Sequence, residues 1–103
     1  MDGYELVLQF RGPKVETEDE IVEIEDALFE VLQSGETWAG HDIRAAACNI
    51  VVETPDAQAT FARIAAFLTR AGLIDDVVVG ARALAGSTFV TLWPPGGQPF
   101  DRG

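Results

Sequence analysis

The spacing of apolar residues changes along this chain, and that change constrains its fold more than any other feature. From Tyr4 to Phe10, Leu6, Leu8 and Phe10 alternate with Glu5, Val7 and Gln9, the period of two that gives a strand one buried face. Gly12-Pro13 closes the run. From Thr17 to about Gln33 the spacing becomes three and four, so that Ile21, Ile24, Leu28, Val31 and Leu32 fall on one stripe of a helix. Thr17 and Glu20 form a capping-box pair at its start, and Ser34-Gly35 supplies the stop.

The stretch Thr37 to Thr54 is too long for one ordinary strand, and Gly40-His41-Asp42 offers a kink. It reads as a strand over Thr37 to Ile43, a turn near Arg44 to Ala46 and a second strand over Ala47 to Glu53; one long strand is the alternative. Thr54-Pro55-Asp56 opens a second helix, with Thr54 as cap and proline at the first helical position, where its missing N–H costs least. Phe61, Ile64, Ala65, Leu68 and Ala71 make its apolar stripe. Gly72 ends it, and Leu73-Ile74 folds back on its last turn. Val77 to Leu84 and Thr88 to Trp93, separated by Ala85-Gly86-Ser87, predict a terminal hairpin.

This order predicts an α+β fold: a ferredoxin-like βαββαβ sandwich with an additional C-terminal strand, both helices on one face of an antiparallel sheet. A single long middle strand would give a four-stranded βαβαββ sheet instead. The 103 residues suit one domain over 1–93, followed by a Pro/Gly-rich tail over 94–103 that neither pairs nor winds and is expected to be mobile.

Charge narrows the partners. The net charge is −10, and ten carboxylates with no Lys or Arg lie between Val15 and Ile43: Glu16, Glu18, Asp19, Glu20, Glu23, Glu25, Asp26, Glu30, Glu36 and Asp42. The rest of the chain balances seven acids against seven bases. Such a field repels phosphate backbones, which argues against nucleic acid; it favours a basic protein partner or serves only to keep the chain soluble. On the first helix, Asp19, Glu23, Asp26 and Glu30 form an acidic ridge opposite the apolar stripe. No apolar run approaches the roughly 20 residues that span a bilayer, so no membrane partner is expected. The first residues lack a secretory pattern, and the single Cys48 cannot form an internal disulfide; together these point to a cytoplasmic protein.

Residues that could carry chemistry are few. His41-Asp42 pairs an imidazole with a carboxylate, but neighbours on an extended chain point to opposite sides. No nucleophile completes a set, because Cys48 sits in an apolar strand and Ser34 and Ser87 occupy turns. One His and one Cys supply half of a tetrahedral zinc set, so neither metal nor cofactor is expected. Alternation places Asn49, Val51 and Glu53 on the sheet face away from the helices, with Gln9 and Arg11 beside them. His41, Asp42, Asn49 and Arg82 are therefore the candidates for a small-ligand site.

Gly40-His41-Asp42-Ile43, Asn49-Ile50-Val51-Val52, Thr54-Pro55-Asp56 with Phe61, and Phe89 to Trp93-Pro94 resemble the pattern of a small bacterial family of ferredoxin-like domains. The likeness runs from Trp38 onward and departs from the family at Arg44 and Ala45-Ala46-Ala47, where glycines would stand. It implies the fold and carries no activity. The expected function is a non-catalytic interaction domain that binds a basic protein through Asp19, Glu23, Asp26 and Glu30. The alternatives are a ligand-binding or regulatory module on the open sheet face or at a dimer seam, and an enzyme using His41. Strand edges ending at Trp93 also suggest a homodimer.

Overall fold

The computed structural model describes residues 3–10, 17–33, 35–43, 47–86 and 88–94. Its elements are β1 (Tyr4–Phe10), α1 (Glu18–Phe29), β2 (Thr37–Ile43), β3 (Cys48–Thr54), α2 (Ala57–Arg70), a 3-10 turn (Ile74–Asp76), β4 (Val77–Ala83) and β5 (Val90–Trp93). The strands form one five-stranded sheet in the order β2-β3-β1-β4-β5, antiparallel throughout. The architecture is α+β, with two helices and one sheet, and is compatible with a ferredoxin-like sandwich. The middle stretch forms two separate strands, as its first reading has it, and not the single long strand of the alternative. The turn expected near Arg44 to Ala46 and the tail from residue 95 lie outside the described residues, as does Arg11.

Alternation settles the core. Leu6, Leu8 and Phe10 of β1, Cys48, Ile50 and Val52 of β3, and Val77, Val79 and Ala81 of β4 are buried in one cluster with Ile21, Ile24 and Leu28 of α1 and Ile64 and Leu68 of α2. Each large aliphatic or aromatic side chain so removed from water contributes about 2 kcal/mol. Cys48, the single cysteine of the chain, is one of these packing residues and forms no internal disulfide.

The helix boundaries differ from the sequence expectation in two places. Thr17 caps α1 with a reciprocal bond to Glu20, as expected, but the helix ends at Phe29 rather than near Gln33. Val31 and Leu32 continue in turn geometry, and Leu32 still packs on the core. At α2 the cap is Asp56, whose carboxylate accepts from the Ala59 N–H at 3.1 Å; Thr54 ends β3 instead. The Thr54 hydroxyl accepts from the Asp56 N–H and meets the Thr60 hydroxyl at 2.7 Å. Pro55 disfavours helical geometry at Thr54, which is why the cap falls one residue beyond the proline. Gly72, at φ +74, closes α2 as only glycine does readily, and Leu73 donates back to the Leu68 carbonyl at 2.8 Å.

The face away from the helices is not an open polar surface. Val7, Gln9 and Asn49 are almost wholly buried there, and Val51 nearly so. Along its rim, Arg82 reaches Glu5 at 3.2 Å and so offsets a pair of carboxylates, Glu5 and Glu53, that face each other across β1 and β3.

Candidate docking surface

The acidic stretch divides into carboxylates that the fold uses and carboxylates that it leaves in water. Glu25 belongs to the first kind. It lies four residues after Ile21 and three before Leu28, hence on the buried stripe of α1, and is 5% exposed. A buried carboxylate must be paired. Glu25 accepts from the Trp38 indole N–H and contacts His41 Nδ1 through both oxygens, at 2.9 and 3.0 Å. Both partners come from β2, where a register shift between Trp38 and Gly40 puts Trp38 and His41 on the helix side. Gly40 holds φ +127 within this irregularity.

Glu36 is the second carboxylate the fold uses. Arg63 of α2 grips it through both guanidinium nitrogens, Thr60 donates at 2.6 Å and the Gln33 N–H at 2.7 Å. Arg63 also donates to the Val31 carbonyl at 3.1 Å. These bonds tie the end of α1, the start of β2 and the middle of α2 into one knot. The Arg63 hydrogen bonds are the main cause holding the Glu36 carboxyl down to about 2 from its ordinary 4.5, against the opposing effect of burial.

The ridge is different. Asp19, Glu23, Asp26 and Glu30 are all exposed, and among the described residues none makes an ion pair or side-chain hydrogen bond. Asp19 shares the favourable first turn of α1, but Asp26 and Glu30 lie toward its negative end, where no basic residue answers them. Beside the ridge runs an apolar strip. Phe29 is 52% and Trp38 36% exposed, and their rings meet edge-on at 5.7 Å; Val22 and Ile43 extend the strip along α1 and β2. The Glu25 bond fixes the Trp38 ring where it stands. This surface therefore joins a negative ridge to a preformed aromatic step at an edge of the sheet.

The four candidate ligand residues do not gather. His41 faces α1, with Nε2 3.8 Å from Glu18, whereas Asp42 faces the other way and accepts from Asn49 Nδ2 at 2.8 Å. Asn49 is 0% exposed, so it cannot meet a ligand from solvent. Arg82 lies across β1, donating to Glu5 and the Gly86 carbonyl and stacking on Phe89 at 5.6 Å. His41 and Asp42 border a hollow of about 280 Å³, but among the described residues its other ionisable walls are Glu5 and Glu53.

Sequence reasoning denied His41 an orienting partner by looking only at Asp42; Glu25, on the adjacent helix, holds its ring. The signal for Glu25 was present, since its spacing from Ile21 and Leu28 puts it on the apolar stripe. Among the described residues, no nucleophile stands at hydrogen-bond distance from His41 Nε2, and no group of three His, Cys, Asp or Glu side chains could hold a metal ion. No helix among them is long and apolar enough to cross a membrane. No family model, curated protein or solved structure matches the chain.

Proposed function

We propose that this chain is a non-catalytic interaction module of ferredoxin-like architecture, working in the cytoplasm, whose α1 ridge and flanking aromatic strip bind a basic, amphipathic protein segment. The observation that carries the reading is an adjacency: the exposed rings of Phe29 and Trp38 lie beside Asp19, Glu23, Asp26 and Glu30, which have no partner among the described residues. Apolar anchors supply binding energy at the centre of an interface, and charge at its border speeds and orients the encounter. A nucleic acid would meet the ridge with like charge. So would a second copy docking through the same surface, which makes a different, basic chain the better occupant.

Calorimetric titration with a Lys/Leu amphipathic helical peptide, and with a Glu/Leu peptide of the same pattern, tests this. The basic peptide is expected to bind with a Kd of about 1–100 µM and the acidic one not at all. Phe29→Ala should weaken the basic peptide by about tenfold. Equal binding of both peptides, or no effect of Phe29→Ala, would overturn the reading.

A further inference from the structure

The far end of the sheet holds a groove that the docking surface does not use. β5 extends the sheet beyond β4, and the N-terminus of α2 together with the helix-side residues of β4 and β5 lines a trough of about 610 Å³. That volume lies within the roughly 300–1,000 Å³ typical of small-molecule sites. Ala81, Ala83, Val90 and Leu92 make an apolar floor, and Tyr4 adds an aromatic ring to the lining.

Among the described residues, the one charged member of that lining is Asp56. Its Oδ1 caps α2 through the Ala59 N–H, and among the described residues its Oδ2 takes no hydrogen bond. The carboxylate already answers the positive end of α2, so an added anion would be repelled rather than held. A cation finds the opposite. An aromatic ring attracts it, and a carboxylate oxygen can accept from it.

We propose that this groove binds a small organic cation, an ammonium or amidinium group carried on a single apolar ring, with the ring on the Ala81–Leu92 floor and the charged head at Asp56 and Tyr4. The site is independent of the α1 surface, on the opposite edge of the sheet.

The test is an amide NMR titration of the full chain with 2-phenylethylammonium, using 3-phenylpropionate as an anion on the same phenylethyl frame. Saturable shifts are expected at Tyr4, Ala57, Ala81 and Val90 with the cation alone, with a Kd of about 0.1–1 mM. Asp56→Asn retains a side chain able to cap α2 and should weaken binding by about fivefold. Ala83→Trp fills the groove from an exposed position and should abolish the shifts while leaving the fold intact. Three results would each overturn the proposal: shifts confined to α1, equal shifts with 3-phenylpropionate, or an Ala83→Trp variant that binds as the parent does.

Discussion

Glu36 and Glu23 belong to the same base-free stretch of sequence, and the structure treats them oppositely. Glu36, 6% exposed in its side chain, is held by Arg63, Thr60 and the Gln33 amide and ties three elements together. Glu23 stands in water with Asp26 and Asp19 at helical spacing, each repelling the next. One carboxylate is part of the fold, and the other is tolerated by it. Negative charge here thus has two separate uses, and only the second leaves a surface for a partner. Glu25 lies between them: it is buried like Glu36, but its two partners are the aromatic and imidazole rings that border the ridge.

Breaking the knot has the largest expected effect. Glu36→Gln leaves Arg63 with a neutral partner and should cost about 2–3 kcal/mol in chemical denaturation. The pH dependence follows from the depressed carboxyl. A group whose pKa falls from 4.5 in the unfolded chain to about 2 in the folded one adds stability above pH 4.5, and that contribution is lost as pH falls from there toward 2. The parent should therefore lose more stability than Glu36→Gln over that acid range, measured by urea melts at successive pH values. Parallel curves would show that folding does not depress the Glu36 carboxyl.

Glu25→Gln comes next. Its amide can still accept from Trp38 or His41 but not equally from both, and a loss of about 1–2 kcal/mol is expected. A sharper readout is Trp38 itself. In a Trp93→Phe background, where Trp38 is the remaining indole, its fluorescence anisotropy should fall when Glu25 is replaced. Unchanged anisotropy would mean that packing against Phe29 alone sets the ring.

The smallest effect, and of opposite sign, is expected on the ridge. Glu23→Gln, Asp26→Asn and Glu30→Gln together remove three mutually repelling charges, one of them at the C-terminal end of α1, so the Tm should rise by about 2–5 °C. A fall would show that these carboxylates support the fold after all.

Much of this architecture was legible in local spacing, because a strand or helix with one buried face writes its period into the chain. Tyr4–Phe10 and Thr37–Ile43 both fall where alternation and the Gly40 kink place them. The helix ends were less legible. Ser34-Gly35 signals a stop, but α1 unwinds at Glu30 while Leu32 keeps its apolar contact, so apolar spacing continues past the helix. Thr54 and Asp56 are both good caps, and sequence alone does not say which one the strand will claim. The site was least legible. Whether an acidic residue on α1 or before β2 is buried depends on which side chain another element brings to it, as Arg63 does for Glu36 and Trp38 for Glu25. Likewise, Gln9 and Asn49 are buried on the sheet face away from the helices, and no local pattern in the sequence marks them as covered on that side.

The claim that the ridge serves a partner and not the fold is tested most directly by measuring both quantities on one protein. The Glu23→Gln, Asp26→Asn, Glu30→Gln variant is titrated with the Lys/Leu amphipathic peptide and melted under the same low-salt buffer. The expected result is binding weaker by about tenfold or more, with a Tm equal to or above that of the parent. Parental affinity in a variant that melts higher would leave the ridge as solvated surface and contradict the docking function.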